Sequence, residues 1–412
     1  MINKTFVCLL IIFNYECRSL ANEKIGEVFA WKQISYDFNG VLYNEDSNFE
    51  KTPNGLHFHQ DALDSEKFFI QYNNVPVGFE VYGNKVIVTV PRRRYGIPST
   101  LNYVEMSTKS PALKPFPNST NLVSVYRPRI DACHRLWMVD TGLLEIPGNR
   151  SQVQKPAIVI YDLKTDRQIL RYELKDTDLV NERTPGGLIS ITVDVTSDKC
   201  EDAFAYINDL ATEGMIVFSL KSKSSWRLRH PSFAHNEMSL NFSIGGYVIN
   251  WRDGLFSIAL SEPDAKGHRT AFYHPLVSTL EFTVNTKFLQ SGNPIDKHVK
   301  VAGTKGCNTQ SGSHDYHPGT KTLFYANVAQ DAILCWRVDN KMAPENIGVA
   351  VQDHEKLAYI SDLKVIGDDV WVLVNQMHIF VYSTLNVKDY NFYIHKANVY
   401  DLIRNTPCEK KL

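Results

Sequence analysis

The sequence predicts an all-β fold, a single six-bladed β-propeller closed around a central channel. Short apolar runs rich in Val, Ile, Tyr, Phe and Trp recur along the 412 residues, separated by Gly, Asn, Asp and Pro. The runs come in six pairs that repeat about every 45 to 60 residues, which matches the blade period of a propeller. Helical periodicity over ten or more residues is hard to find. One repetitive domain therefore accounts for the length of the chain.

Each pair of runs is predicted to form two neighbouring strands of one blade. Two or three β-sandwich domains are an alternative all-β fold, but no Pro/Ser-rich or charged linker separates such domains. The pairs are 85–90 with 101–104, 135–140 with 157–162, 203–208 with 214–219, 270–274 with 280–285, 323–327 with 332–337, and 370–375 with 378–383.

The N-terminus has the pattern of a secretory signal peptide. Lys4 precedes an apolar stretch at 6–13, and Ala21 lies at the small-residue position of a signal-peptidase site. The stretch is too short to span a bilayer, and no later run reaches the roughly 18 apolar residues that a membrane helix needs. We expect 1–21 to be the signal peptide, 22–412 to be the propeller domain, and the protein to be secreted.

The cysteines fit an oxidising compartment. Five of the seven lie beyond residue 21, so two disulfides and one odd thiol are expected, although sequence alone does not fix the connectivity. Cys307 is the odd thiol in the preferred pairing, and a buried, inert free thiol is the simplest alternative for it. The preferred pairs are Cys133 with Cys200 and Cys335 with Cys408.

Three N-x-S/T sequons beyond residue 21 support passage through the secretory pathway. Each lies beside Pro, Gly or polar residues, as expected for an exposed loop, although any single sequon can arise by chance. The predicted glycosylation sites are Asn118, Asn149 and Asn241.

The charges of the chain nearly cancel. It has 44 Lys and Arg against 45 Asp and Glu, a formal net charge of -1, so no overall field attracts it to nucleic acid or an anionic membrane. We expect a small or neutral partner, and the sequence does not predict the oligomeric state. The triplet at 92–94 is interpreted as a solvated strand edge or loop with no role in a site.

A polar residue ends the first strand of most pairs. Strands near a propeller axis direct side chains toward the channel, so a ring of such residues there predicts a convergent polar site. The alternative is that Asn and Asp cap tight turns by bonding their own backbone. The residues are Asp140, Asn208, His274, Asn327 and Asn375.

Two segments carry a specific signature. The sequence VPRRRYGIPSTLN occupies 90–102, and VYRPRIDACHRLWMVDTG occupies 125–142. Both resemble the insect yellow and major royal jelly protein family, and further similar segments extend the resemblance over roughly residues 27 to 408. The resemblance implies a secreted six-bladed propeller and supports the preferred disulfides. The further segments are 156–163, 192–195, 203–209, 254–260 and 332–337.

The resemblance implies three kinds of function. Members of this family act in pigmentation and cuticle melanisation, some as dopachrome-converting enzymes. Royal jelly members are abundant secreted proteins, and salivary members of blood-feeding insects bind biogenic amines. Fold transfers more safely than function between such relatives.

For amine binding, the resemblance implies a site at the channel mouth. The salivary relatives place a Thr, an Asn and an aromatic residue where this chain has Ser361, Asn375 and Met377. A thioether replaces the aromatic ring, which weakens cation–π attraction to an ammonium group. Tyr359 or Phe380 is a possible replacement for that ring.

Dopachrome conversion requires a positioned base and donors for the quinone oxygens, and no organic cofactor. His314 is the natural base near neutral pH, although an isolated His in a Gly/Ser-rich stretch is often only a surface residue. The candidate catalytic residues are His314, Asp315 and Asp209, and the candidate amide donors are Asn208, Asn327 and Asn375.

Motifs for other chemistry are absent from the sequence. It contains no G-x-S-x-G, H-E-x-x-H, C-x-x-C or phosphate loop, and the pair His314 and His317 is weak support for zinc. Calcium-binding propeller lactonases offer an alternative, in which side-chain oxygens of Asp194, Asn208, Asn327 and Asn375 would converge. We assign no metal and no cofactor.

The sequence thus supports one main hypothesis and two alternatives. The main hypothesis is a yellow-family protein acting on dopachrome or a related indole-quinone in pigment metabolism. A non-catalytic extracellular binder of small aromatic ligands such as biogenic amines is the first alternative. A structural or storage protein, which needs neither channel residues nor a ligand, is the second.

Overall fold

The computed structural model describes residues 24–45, 68–196 and 198–410, which form a six-bladed β-propeller. Each blade is a four-stranded antiparallel sheet, and the first strands of the six blades contact one another in a closed ring around the axis. The predicted fold class is confirmed. The predicted signal peptide, 1–21, lies outside the described residues.

The first half of the chain contributes three blades and two hairpins. The first strand in the described part of the chain is β1 (Gly26–Trp31), and the hairpin of β2 (Tyr36–Phe38) and β3 (Val41–Tyr43) follows it. Blade 1 contains β4 (Gly78–Tyr82), β5 (Lys85–Thr89), β6 (Leu101–Glu105) and β7 (Lys114–Pro115). Blade 2 contains β8 (Arg129–Ile130), β9 (Arg135–Asp140), the inserted hairpin β10 (Leu143–Ile146) and β11 (Asn149–Gln152), then β12 (Ala157–Asp162) and β13 (Arg167–Glu173). Blade 3 contains β14 (Leu188–Asp194), β15 (Phe204–Asp209), β16 (Gly214–Ser219) and β17 (Ser224–Leu228).

The second half contributes three more blades. A third hairpin, β18 (Phe242–Ile244) and β19 (Tyr247–Ile249), precedes them. Blade 4 contains β20 (Leu255–Leu260), β21 (Thr270–Pro275), β22 (Leu280–Asn285) and β23 (Lys300–Thr304). Blade 5 contains β24 (Ser311–His317), β25 (Thr322–Asn327), β26 (Ala332–Arg337) and β27 (Ile347–Gln352). Blade 6 contains β28 (Ile360–Ile366), β29 (Asp369–Val374) and β30 (Phe392–Asn398).

The helices in the described part of the chain are short. None of them is long and apolar enough to cross a membrane. The α-helices are α1 (Thr184–Gly187), α2 (Thr286–Gln290), α3 (Met377–Tyr382) and α4 (Val399–Ile403), and single 3₁₀ turns occupy Gln71–Asn73, Asp176–Asp178, Cys200–Asp202, Pro231–Phe233, Glu237–Ser239 and Pro344–Asn346.

Blade 6 contains both ends of the chain. Its strand order is β1-β30-β29-β28, so the N-terminal strand is the outer strand of the last sheet. The register runs from Gly26 opposite Lys396 to Trp31 opposite Phe392. The ladder between these strands closes the ring.

The hydrophobic core is divided among the six interfaces between neighbouring blades. In β9, Trp137 and Val139 pack toward blade 3, whereas Leu136 and Met138 pack toward blade 1. All four side chains are buried. A strand covered on both faces must be apolar at every position rather than at alternate positions, which explains the continuous apolar runs of the sequence.

Five of the six predicted strand pairs are confirmed, and one is wrong. The second run of the last pair, 378–383, largely coincides with helix α3, and β29 pairs instead with β30. An apolar run without alternation is compatible with a buried helix as well as a strand. Here Met377, His378 and Phe380 are buried, and they lie on one side of a helix of about one and a half turns.

The preferred disulfides are present, Cys133 with Cys200 and Cys335 with Cys408. Cys307 is free, as expected, but it is exposed, so the alternative of a buried thiol is wrong. It lies in the connection between blades 4 and 5, outside the packed strands. All three sequon asparagines, Asn118, Asn149 and Asn241, are exposed.

Candidate active site

A pocket of about 260 Å³ opens where the inner strands begin. Residues at or just before the start of β4, β8, β14, β20 and β28 line it, and loops from the same face complete it. We call this cavity the mouth pocket. Its lining residues are Val77, Arg93, Tyr126, Arg127, Glu145, Gly186, Ile189, Leu210, Trp251, Asp253, Phe256, Tyr359, Ser361, Met377 and Val381.

Two arginines give the mouth pocket fixed positive charge. Arg127 Nε donates to the carbonyl oxygen of Ser361 at 2.8 Å, and its guanidinium lies 4.8 Å from the centroid of the Phe256 ring. Arg93 has looser contacts, with its Nη1 3.4 Å from Met377 Sδ and its Nε 4.0 Å from Glu145 Oε2. Arg127 is therefore locked in place, whereas Arg93 has donors free for a ligand.

Two carboxylates face these arginines. Glu145 accepts a short hydrogen bond from the Tyr126 hydroxyl. Burial raises the pKa of Asp253 to about 6, although Arg93 and Arg127 act in the opposite direction. Because this value is close to neutral, Asp253 can both accept and release a proton under ordinary conditions.

Tyr359 supplies a hydroxyl and an aromatic face. Burial raises its pKa to about 12, with Arg127 lowering it less, so the hydroxyl stays protonated and able to donate. Its backbone has φ of 62°, a left-handed conformation that is rare outside glycine and often marks a functional position. Of the two expected replacements for the aromatic ring, Tyr359 lines the pocket, whereas Phe380 contacts Tyr72 and Arg94.

Aromatic rings form one wall of the mouth pocket. The Trp251 ring meets Tyr359 edge to face, with the centroids 6.0 Å apart, and stacks on Tyr382 at 6.3 Å. Phe256 lies below them at the start of β20. Rings of this kind pack well against a flat aromatic ligand.

Below the mouth pocket, the channel is filled with paired charges. Arg129 Nη1 lies 2.8 Å from Asp315 Oδ2, and Lys364 Nζ lies 3.6 Å from Asp362 Oδ2 and 3.7 Å from Glu80 Oε1. The cavity here is about 220 Å³. Because these charges lie in ion pairs with one another, the mouth pocket is the better candidate for a ligand site.

The three candidate catalytic residues lie outside the mouth pocket. Asp315 pairs with Arg129 in the channel, and Asp209 pairs with Arg227 at 2.9 Å and accepts from backbone amides of the β15–β16 turn. His314 is only 4% exposed and lies in β24, so the surface-loop alternative is wrong for it. The three side chains therefore do not form a single catalytic group.

The expected ring of strand-end residues around the axis is not formed. The predicted pairs are the second and third strands of each blade, so these residues lie one strand away from the channel. Asn208 and Asn375 donate to backbone carbonyls of the next blade, and Asn327 donates to Asn308 of its own blade. Their amides are therefore engaged by the backbone.

The remaining ligand candidates separate into two groups. Ser361 and Met377 line the mouth pocket, as the resemblance implied. Asp194 lies at the opposite end of β14 and pairs with Arg269 at 2.9 Å. The oxygens proposed for calcium thus do not converge, and the weak zinc pair is also separated, because His317 contacts Asp368 and Thr320.

Sequence reasoning missed most of the pocket. Arg93, from the triplet interpreted as a solvated edge, lines it, while Arg92 donates to backbone carbonyls and Arg94 covers the Phe380 ring. Glu145 and Asp253 were not singled out. The available signal was the position of these residues in the sequence, because the segment that immediately precedes each inner strand lies at the mouth of the channel.

Comparison with known proteins agrees with this architecture. L-dopachrome tautomerase yellow-f of Drosophila melanogaster is 39% identical over 408 residues, covering 93% of this chain and 94% of that protein. Dopaminechrome tautomerase of Drosophila melanogaster is 31% identical, covering 92% and 83%. Protein yellow of Drosophila guanche is 33% identical, covering 97% and 70%. The model of the family described as Major royal jelly protein matches residues 123–408, and the chain belongs to that family.

Proposed function

We propose that this protein is a secreted tautomerase that acts on dopachrome or a related indole-quinone in pigment metabolism, at the mouth pocket. The observation that carries the proposal is Asp253, a carboxylate with a pKa of about 6 between two arginines and an aromatic wall. Two relatives that cover most of this chain are named as tautomerases of such quinones. Their names and the pocket chemistry support the same reaction class.

The reaction requires only proton movement. Conversion of dopachrome to 5,6-dihydroxyindole-2-carboxylic acid breaks two C–H bonds of the five-membered ring, one at C2 and one at C3; the electron pairs move through the conjugated system, and both quinone oxygens gain a proton. In this proposal Asp253 accepts a carbon-bound proton and the Tyr359 hydroxyl donates a hydrogen bond to a quinone oxygen, since both residues line the mouth pocket. The substrate and product are isomers, so no oxidant or reductant is involved.

Arg93 gives the site a means of recognising a substrate carboxylate. Its side chain is 42% exposed, and its nearest carboxylate contact, Glu145, is at 4.0 Å. A guanidinium with free donors binds a carboxylate in a bidentate manner. Trp251 and Phe256 would pack on the faces of the bicyclic ring.

Secretion and glycosylation form part of the same proposal. Two disulfides indicate folding in an oxidising compartment. The signal-peptide pattern at 1–21 and the exposure of all three sequons support it.

A non-catalytic carrier of biogenic amines is the second candidate. Glu145 and Asp253 lie in the same pocket as three aromatic rings, those of Trp251, Phe256 and Tyr359. Carboxylates beside aromatic faces are suited to an ammonium group. Arg93 and Arg127 in the same cavity favour an anionic or quinonoid ligand instead.

The test measures L-dopachrome decay and formation of its isomer, 5,6-dihydroxyindole-2-carboxylic acid, with purified, secreted protein. We expect acceleration proportional to protein concentration, and a loss of about 100-fold or more in kcat/KM for Asp253→Asn, since general base catalysis contributes roughly that much. Asp401→Asn, which removes a half-exposed carboxylate outside the pocket, is the matched control. Saturable amine binding without turnover would support the carrier, and neither activity would favour a structural or storage protein.

A further inference from the structure

A group of ionisable side chains is completely enclosed between blades 4 and 5. His274 is the penultimate residue of β21, Glu281 lies in β22, and His314 lies in β24 of the next blade. Their exposed fractions are 0%, 0% and 4%. None of the three lines the mouth pocket, so the proposed reaction does not explain them.

The potential ligand atoms of the three side chains converge. His274 Nδ1 is 2.9 Å from Glu281 Oε2, His314 Nε2 is 3.1 Å from Glu281 Oε1, and all three groups lie within 4.8 Å of one another. Glu281 Oε1 and His314 Nε2 are buried without a hydrogen-bond partner of good geometry. Buried polar atoms are rarely left in this state, and here both are directed at the same point.

The outer nitrogens of both rings are oriented by other groups. His274 Nε2 contacts the carbonyl oxygens of Ser311 at 3.2 Å and Gly312 at 3.0 Å. Carbonyls only accept, so Nε2 carries the hydrogen and the neutral ring presents the Nδ1 lone pair to Glu281. His314 Nδ1 is held by Ser257 Oγ at 2.7 Å. Metal-binding histidines are oriented in this way.

Two facing lone pairs require a positive charge between them. At 2.9 Å, the His274 Nδ1 lone pair and a Glu281 carboxylate oxygen repel each other unless a proton lies between them or a metal cation binds both. A cation bound to all three groups would also engage Glu281 Oε1 and His314 Nε2.

Lys305 is the competing positive charge. Its Nζ is buried 3.6 Å from Glu281 Oε2 and 3.4 Å from the carbonyl oxygen of Leu280. Two tyrosines are the neighbouring ionisable groups: the ring of Tyr325 lies 5.3 Å from that of His314, and Tyr273 is close enough for Glu281 to act on it electrostatically.

We propose that His274, Glu281 and His314 bind one divalent transition-metal ion of the zinc type. Two imidazole nitrogens and one carboxylate suit zinc, whereas calcium and magnesium require a shell of oxygens. The ion is structural, because the site is closed to solvent and connects two blades across their interface.

The first experiment is elemental analysis of the secreted full-length protein, purified without a metal-affinity tag. We expect about one zinc per chain after desalting, and loss of at least nine-tenths of it in His274→Gln and His314→Gln. His354→Gln, which changes an exposed histidine, is the control and keeps its zinc. Wild-type protein that neither contains zinc nor gains thermal stability from added zinc overturns the proposal, as does equal zinc loss in the control.

A second variant keeps the test valid if the histidine variants fail to fold. Lys305→Met removes the competing ammonium with an apolar side chain of similar length. We expect this variant to bind zinc about tenfold more tightly, because the ammonium group 3.6 Å from Glu281 Oε2, which repels the metal cation, is gone. Unchanged or weaker binding contradicts the assigned site. Dopachrome turnover plays no part in either readout, so the two proposals fail independently.

Discussion

At the residue scale, two opposing effects set the pKa of Asp253. Burial at the mouth of the channel favours its neutral form, while Arg93 and Arg127 favour its charged form. Burial dominates, so the pKa of about 6 lies above the ordinary value for aspartate. The carboxylate is therefore basic enough to take a proton from carbon and is still ionised at neutral pH.

The pH profile of the reaction follows from this value. Asp253 acts as a base only when ionised, and its raised pKa means that protonation sets in as the pH falls through about 6. We expect kcat/KM for L-dopachrome to be level above pH 7 and to fall about tenfold per pH unit below the pKa. The measurement is the initial rate between pH 4.5 and 8 at constant ionic strength. A profile without an inflection in this range would exclude Asp253 as the base.

Arg93 is expected to determine preference for a carboxylated substrate. Arg93→Gln should reduce kcat/KM for L-dopachrome about 10-fold to 100-fold, mainly through KM, and should affect dopaminechrome, which lacks the carboxylate, much less. Steady-state kinetics with both quinones measure this difference.

Arg252→Gln is the matched control for that comparison. Arg252 is exposed, pairs with Glu237 and is not part of the mouth pocket. Equal losses for both quinones in Arg93→Gln would assign Arg93 a role unrelated to the carboxylate.

The limits of sequence analysis at this scale have a physical cause. Ser361 and Met377 were found through the family resemblance, because that resemblance assigned positions rather than residue types. Asp253 and Glu145 have no local motif, since their importance arises from burial and from neighbours far away in the chain. A pKa is a property of the folded surroundings, which periodicity does not report.

At the element scale, four of the six blades are fastened to the next blade by a residue at the end of the second strand. Thr89, Asn208, His274 and Asn375 each lie within one residue of that strand end, and each contacts a backbone carbonyl near the first strand of the following blade. Sequence analysis recognised this repeated polar position and assigned it to the channel. The prediction placed these residues one strand too close to the channel, because the predicted pairs did not include the inner strands.

Removing one of these contacts should weaken the propeller without altering the mouth pocket. Asn208→Ala removes the amide donor to the carbonyl oxygens of Leu255 and Phe256, the second of which also accepts from Ser190 Oγ at 3.3 Å. We expect the free energy of unfolding to fall by about 1–3 kcal/mol, measured by denaturant titration. Asn346→Ala, which removes an exposed amide, should change it by less than about 0.5 kcal/mol. Equal effects in the two variants would contradict the fastening role.

Helix α3 illustrates a second limit of prediction by element. Its sequence, MHIFVY, is rich in residues that favour strands, yet it folds as a helix next to the mouth pocket. Gln376, immediately before it, has φ of 50°, which turns the chain out of β29. The surroundings of this segment in the folded protein therefore override its preference for strand, which is a weak preference in any case.

At the scale of the whole molecule, the fold was predictable because a repeated pattern still identifies the fold when one repeat is assigned wrongly. Six apolar pairs at a regular period indicate a propeller even when one run is misassigned. The number of blades follows from the period and the length of the chain. The mouth pocket, by contrast, is built from segments that enter five different blades, and no regularity connects their side chains.

The disulfide between Cys335 and Cys408 should be a major source of global stability. It closes a loop with a sequence separation of 73, for which chain entropy predicts about 4 kcal/mol. We expect the double variant Cys335→Ala and Cys408→Ala to unfold with a free energy lower by up to that amount, measured by denaturant titration. Cys307→Ala, at an exposed free thiol, should leave the value unchanged. A double variant as stable as the wild type would show that the tail is held by packing alone.

The shared final blade also governs when the protein can mature. Trp31 cannot pair until Phe392, about 360 positions later, has been synthesised. At a synthesis rate of roughly 5–20 residues per second, this interval lasts on the order of 20 to 70 seconds. During that time the emerging chain is an open arc with an unpaired edge strand at each end. Premature termination anywhere before β30 leaves the arc unable to close, so we expect quality control to retain truncated chains even when five complete blades have formed.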